Sequence, residues 1–218
     1  MMNNKLLKHY LNKENLEVGV DEAGRGCLAG RVYAAAVIWN PNIEKIYNVK
    51  LPPIKDSKKI KYQDRKRYSE FIKKYAVDWG IGWASENEID EINIKNATFK
   101  SMHRALDNLH VRSNFILVDG NIFEPYTCNK SSKNIKHQTV IKGDDTYFSI
   151  AAASILAKVS RDEYIEELVK DNPELNKYDW LNNYSYGSKK HINAIKNYGI
   201  TNYHRKTFGI CKTYKLSD

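Results

Sequence analysis

The chain has 218 residues, 42% hydrophobic and 28% charged, a globular composition that leaves room for a substantial core and excludes a disordered chain. A mean hydropathy of −0.63 and the lack of an 18-residue apolar run exclude a transmembrane helix. Lys and Arg number 35 against 26 Asp and Glu, a net charge of +9 that favours a polyanionic partner, most simply nucleic acid.

Three cysteines (Cys27, Cys128 and Cys211) form no CxxC pair, which argues against a disulfide scaffold or a thiolate zinc site and for a reducing compartment. The opening MMNNKLLKHYLNKENLE has no apolar signal core, so a cytoplasmic location is expected.

The first element is EVGVDEAGRG (17–26), where Val18 and Val20 alternate with Gly19 as in a strand before the run breaks into glycines. RVYAAAVIWN (31–40) is short and continuously apolar, the pattern of a buried strand. A proline-bearing loop follows through Pro41, Pro52 and Pro53. Ser57 is then positioned to cap a helix in which Ile60, Tyr68, Ile72 and Tyr75 recur at helical spacing. VDWGIGWAS (77–85) alternates again as a third strand, and residues 88–109 carry a helical stripe of Ile89, Ile92, Phe99, Met102 and Leu106.

FILVDG (115–120) and QTVIKGD (138–144) read as two further strands, and residues 147–170 as a long helix stopped by Asn172-Pro173. HINAIKNYG supplies a helix in a polar, aromatic tail. The whole predicts a mixed-sheet α/β architecture.

Carboxylates sit at the C-terminal ends of three predicted strands: Asp21-Glu22, Asp119 and Asp144, the last beside Asp145. Strand ends and the turns after them are where α/β folds place working groups. If the first and fourth strands are neighbours, a spacing of about 4.8 Å brings Asp21 and Asp119 side by side. Adjacent carboxylates repel unless a divalent cation lies between them, and oxygen-only ligands suit magnesium or manganese. Alone, Asp119-Gly120 reads as a turn and Asp144-Asp145 as a helix cap. Asp21-Glu22 is less easily dismissed, since a surface turn has no need of two acids flanked by Val20 and an apolar following strand.

These residues also carry a family resemblance. GVDEAGRGCLAGRVYAAAVI is similar to the GxDEAGRGPLAGPVxAAAV signature of type 2 ribonuclease H, the ribonuclease HII family. DSKKI (56–60), LVDG (117–120), KGDDTYFSIAAASILAKVSRD (142–162), YGSKKH (186–191) and HRKTF (204–208) continue it in the family's order. The resemblance implies a ribonuclease H-like mixed five-stranded sheet flanked by helices. It also implies one domain over residues 1–218, with a core of about 17–170 and a helical C-terminal region of about 171–218.

It further implies that Asp21, Glu22, Asp119 and Asp144 are the catalytic and metal-ligating carboxylates, holding two divalent cations, magnesium or manganese. The implied activity is endonucleolytic cleavage of RNA in RNA–DNA hybrids and at single ribonucleotides in duplex DNA. Gly24-Arg25-Gly26 resembles the loop that reads the ribose 2′-hydroxyl, and Tyr186 the tyrosine that stacks on the next sugar. Lys58, in the matched DSKK, is a candidate phosphate contact, as are Ser154 and Lys158, four apart on the long helix.

Cys27 and Arg31 replace usual prolines, Tyr184 a usual lysine and Ser185 a usual glycine. The tail KTYKLSD shows no sliding-clamp-binding box, and a monomer is expected. Two alternatives stay open: a two-metal nuclease of the same fold acting on DNA alone, and a non-catalytic hybrid-binding protein.

Overall fold

The computed structural model describes residues 7–54, 60–129 and 132–216. A five-stranded sheet forms the centre, in the order β3-β2-β1-β4-β7. Its members are β1 (Glu17–Ala23), β2 (Val32–Ile38), β3 (Asp78–Ala84), β4 (Phe115–Asp119) and β7 (Lys136–Val140). The first three strands run antiparallel as a meander, whereas β1, β4 and β7 are mutually parallel. The sheet is therefore mixed, as predicted.

Helices cover both faces, which explains why β2 is apolar at every position. Ala35 and Val37 face α4 (Phe148–Asp171) and α2 (Tyr62–Tyr75). Ala34, Ala36 and Ile38 face α3 (Glu86–Asp107) with Phe99 and Met102. Ser85 and Glu88 close a capping box at the start of α3, with the Ser85 hydroxyl accepting from the Glu88 N–H and the Glu88 carboxylate from that of Ser85. The helix kinks at Asn93, whose φ is +65°.

Helix α4 crosses β1 at close range because Gly19 has no side chain. A Cβ there would lie 2.3 Å from the backbone carbon of Ser149 and 2.4 Å from the nitrogen of Ile150. Gly19→Ala is expected to destabilise the protein by about 3 kcal/mol, since strand and helix must separate along a shared core. Thermal denaturation checks this, and an unchanged melting temperature would show that the helix yields freely.

Several elements depart from the sequence reading. Helix α2 begins at Tyr62 after Lys61 with no side-chain cap, and Ser57 lies outside the described residues. A short helix, α1 (Ile43–Tyr47), occupies part of the proline-bearing loop and buries Ile43 against Trp39 and Ile72. The two-residue strands β5 (Thr127–Cys128) and β6 (Lys133–Asn134) make a separate hairpin. Strand β7 ends at Val140, and Asp144 follows in a tight 3-10 turn over Gly143–Asp145. Among the described residues, no helix is long and apolar enough to cross a membrane.

Beyond α4 the chain forms a 3-10 turn (Pro173–Tyr178), α5 (Trp180–Asn183), α6 (Lys189–Tyr198) and a final 3-10 turn (Gly209–Thr213). Their buried side chains, including Trp180, Tyr178 and Ile195, pack on Ala29 and Ile165. The C-terminal region is thus fastened to the segment that follows β1.

Candidate active site

Parallel pairing of β1 with β4 places Val20 opposite Val118, so Asp21 and Asp119 come next on adjacent strands. Alternation along β1 turns Gly19 and Asp21 toward α4, and Val18 and Val20 toward α3. Asp144 arrives from the 3-10 turn, where Lys142 takes a left-handed conformation (φ +56°). The Gly143 N–H donates to Asp119 Oδ1 at 2.7 Å and ties that turn to β4. Asp145 is exposed, so the fold selects Asp144 from the pair.

All four acids line one cavity of about 230 Å³, together with Gly24, Arg25, Gly26, Ser154, Lys158 and Tyr186. A larger cavity of about 660 Å³ lies at the opposite ends of β4 and β7, around Asn114, Tyr126 and Lys136, and contains a single acid, Asp107. Size does not mark the chemistry here. The convergence of carboxylates does.

Asp21 is buried, accepting the Glu22 N–H at 2.7 Å and the Ser154 hydroxyl. Burial raises its carboxyl well above the ordinary range, and the charges of Glu22 and Asp119 raise it further. Glu22 leans toward Arg25, at 3.2 Å. With the side chains so disposed, no three His, Cys, Asp or Glu residues among those described close around one point. The donor set nonetheless fits a hard divalent cation: it is all oxygen, on one cavity, with mutual repulsion that such an ion relieves.

Lys158 is more constrained than a free phosphate-binding lysine. Its ammonium pairs with buried Asp162 at 2.7 Å and lies 5.0 Å from the Tyr184 ring centre and 5.7 Å from that of Tyr186. Burial lowers its pKa. Arg65 also reaches Asp162, at 3.2 Å, so that carboxylate accepts from two cations. Lys58 lies outside the described residues.

Two departures from the usual signature, Ser185 and Arg31, find physical explanations. Ser185, where glycine is usual, has φ +59°, and its hydroxyl donates to the Ala29 carbonyl at 2.8 Å and accepts from Arg161. Those bonds hold a conformation that glycine would adopt unaided. Arg31 stacks over Trp83 at 3.8 Å and Tyr164 at 4.6 Å. Cys27 is fully buried and bridges to Tyr186. Burial, and then Cys27, push the Tyr186 phenol up to about 12, so it stays protonated and able to donate.

Three buried groups behind the cavity had only their place in matched segments to signal them: Arg161, His204 and Arg205. His191 Nδ1 bonds the Tyr186 carbonyl at 2.9 Å, and His191 Nε2 meets His204 Nε2 at 3.1 Å. Trp180 Nε1–H donates to His191 Nε2, and the Thr201 N–H to His204 Nδ1, which fixes both tautomers. His204 Nε2–H therefore donates to His191, and His191 Nδ1–H to Tyr186.

Both rings stay neutral, because burial lowers their pKa values, that of His204 to about 3. Unfolded histidines titrate near 6.5, so the unfolded chain binds protons that the native pair refuses. Stability should fall as pH drops below about 6.5, by up to about 1.4 kcal/mol per pH unit for each histidine. His204→Asn should flatten the decline of melting temperature between pH 7 and 5; identical slopes would refute this account.

A family model described as Ribonuclease HII matches residues 18–211. The chain belongs to the ribonuclease HII family. A ribonuclease HII of Phocaeicola vulgatus is 47% identical over 208 residues, covering 95% of this chain and 96% of the relative. One from Bacteroides thetaiotaomicron is 49% identical over 205 residues, covering 94% and 95%. In fold, the chain is similar to the crystal structure of ribonuclease H2 from Pyrococcus horikoshii, with a TM-score of 0.71 at 24% identity, covering 90% and 95% of the two chains. Bst-RNase HIII in complex with Mn2+ gives a TM-score of 0.65 at 17% identity, covering 90% and 68%. Membership of this family makes the chain an endoribonuclease, a hydrolase of ribonuclease H type.

Proposed function

We propose that this endoribonuclease cuts the RNA strand of RNA–DNA hybrids and also cuts duplex DNA at a lone embedded ribonucleotide, leaving 3′-hydroxyl and 5′-phosphate ends. Its work is then ribonucleotide removal and primer clearance in DNA replication and repair. One observation supports this reading above the others. The four carboxylates share their cavity with the Gly24–Gly26 loop and Tyr186, so acids and sugar-facing groups address the same nucleotide.

Asp21, Glu22, Asp119 and Asp144 would hold two divalent cations, magnesium or manganese; Bst-RNase HIII has been crystallised with Mn2+. Ions held there would supply activation of the attacking water and charge stabilisation at the leaving 3′-oxygen. The Ser154 hydroxyl and the Glu22 N–H orient Asp21. The protonated Tyr186 donates to phosphate while its ring packs on a sugar, and Lys158 adds positive charge. Phosphates are identical in RNA and DNA, so selection falls to groups that touch the 2′-hydroxyl. The backbone of Gly24-Arg25-Gly26, on the same cavity as the acids, takes that role in this reading.

The deciding experiment compares three duplexes of one sequence: one with a single ribonucleotide, one with a continuous RNA strand and one all DNA, each with and without EDTA. Cleavage of the first two, abolished by EDTA, is expected. Cutting of the all-DNA duplex would instead identify a DNA nuclease, and binding without cleavage a hybrid-binding protein.

Hybrid affinity should fall steeply with salt as Lys and Arg displace phosphate counterions. Lys158→Ala should weaken binding and reduce the salt slope by about 1. An unchanged slope would make Lys158 purely the partner of Asp162.

A further inference from the structure

His204 and Arg205 are adjacent in the chain, fully buried, and extend in two directions behind the cavity. Arg205 takes the loop. Its Nη2 donates to the Gly24 carbonyl at 2.7 Å and its Nη1 to that of Arg25 at 2.9 Å. Nε and Nη2 also reach the carbonyls of Gly30, at 2.9 Å, and Arg31, at 3.2 Å. His204 takes the tyrosine, through His191 to the Tyr186 carbonyl. The dipeptide has a firm base as well: the Arg205 N–H donates to the Leu28 carbonyl, and Asp90 of α3 accepts the N–H groups of Lys206 and Thr207.

Peptide planarity gives this arrangement a direction. All peptide bonds among the described residues are trans, so each N–H points opposite the C=O of its own peptide unit. The Gly24 and Arg25 carbonyls are drawn toward Arg205. The N–H groups of Arg25 and Gly26 are therefore aimed away from the guanidinium and out of the core. A guanidinium is suited to this task, because its planar fork satisfies several carbonyls at once and stays charged.

Resting on the reading given above, we propose that His204 and Arg205 are a positioning pair that sets the Gly24–Gly26 loop and Tyr186 at a fixed separation, and so determines which sugar is accepted. Neither residue lines the cavity, and neither contacts the four carboxylates. Arg205 controls where the loop's amides meet the 2′-hydroxyl. The His204–His191 relay controls where the Tyr186 ring meets the following sugar. The two arms therefore affect different selections.

The test uses Arg205→Lys, His191→Gln and His204→Asn in the full chain, assayed on the single-ribonucleotide duplex and the continuous hybrid over a range of Mn2+ concentrations. Arg205→Lys keeps the charge but loses the fork, and should lower kcat/KM at least tenfold on both substrates. His191→Gln and His204→Asn should lower the single-ribonucleotide to continuous-hybrid ratio at least fivefold. In all three the Mn2+ concentration for half-maximal rate should stay within twofold of wild type. Hydrogen exchange should quicken in residues 23–31 for Arg205→Lys and in 184–188 for the histidine variants, with 150–160 unchanged.

A general scaffold role predicts otherwise: an unchanged substrate ratio in the histidine variants, a shifted Mn2+ requirement and exchange that quickens throughout, 150–160 included, in all three. That pattern, or an unchanged ratio in both histidine variants, overturns the proposal. If one variant does not fold, the other two still test their own arms. A wild-type protein that cuts neither RNA-bearing duplex defeats the underlying reading. Wild-type discrimination that persists in all three variants defeats only the positioning role.

Discussion

Asp21→Asn is expected to reduce turnover on an RNA–DNA hybrid on the order of 10³-fold or more while raising the melting temperature of the metal-free protein. The loss follows from removing a hard anionic donor from the centre of the carboxylate cluster, where several kcal/mol of transition-state stabilisation originate. The gain in stability follows from the state of Asp21 itself. Burial first, and then Glu22 and Asp119, hold its carboxyl well above the ordinary range. A raised pKa in the folded state means that ionised Asp21 costs stability at neutral pH, and a neutral amide of the same shape removes that cost. The Glu22 N–H can still donate to the amide oxygen. Mn2+ should raise the melting temperature of the wild type and have much less effect on the variant. Substantial residual cleavage, or an equal response to Mn2+, would remove Asp21 from the metal site.

Gly24→Ala should lower kcat/KM on the order of 10²-fold on both the continuous hybrid and the single-ribonucleotide duplex. Gly24 has φ +93°, a conformation that costs a side-chain-bearing residue about 1–3 kcal/mol. The added methyl would also lie 2.5 Å from Arg161 Nε and 2.7 Å from its Cδ. Arg161 cannot yield without consequence, because it donates to the Tyr184 carbonyl at 2.8 Å and to the Ser185 hydroxyl. One methyl group thus disturbs the loop and the approach to Tyr186 together. Displacements near 1 Å are enough for a loss of this size. Rates on both substrates, measured beside a thermal melt, check the effect. Wild-type rates would show that the loop's backbone does not approach the sugar closely.

Much of the frame is local and was legible in sequence. The alternation of Val18 and Val20, the unbroken apolar run of β2 and the Ala- and Leu-rich α4 each name their element, because burial on one face or two leaves a fixed period. The matched segments likewise pointed to Asp21, Glu22, Asp119 and Asp144 before any contact was known. The short elements were not legible. Helix α1 and the β5–β6 hairpin are too brief to show a period, and tertiary contacts such as Ile43 against Trp39 hold them in place.

The order of the longer elements, the acids that follow the strands and the glycine loop between β1 and β2 can all be read along the chain. Their meeting belongs to the folded chain. Parallel pairing of β1 with β4 makes Asp21 and Asp119 neighbours, and the 3-10 turn presents Asp144 instead of Asp145. Arg205 meets Gly24 from 181 positions away, and only its place in the matched HRKTF segment set it apart from a surface arginine. Local period and composition record the face that a residue buries. They carry no record of which distant carbonyl will satisfy a buried guanidinium, because that partner exists only once the chain has closed on itself.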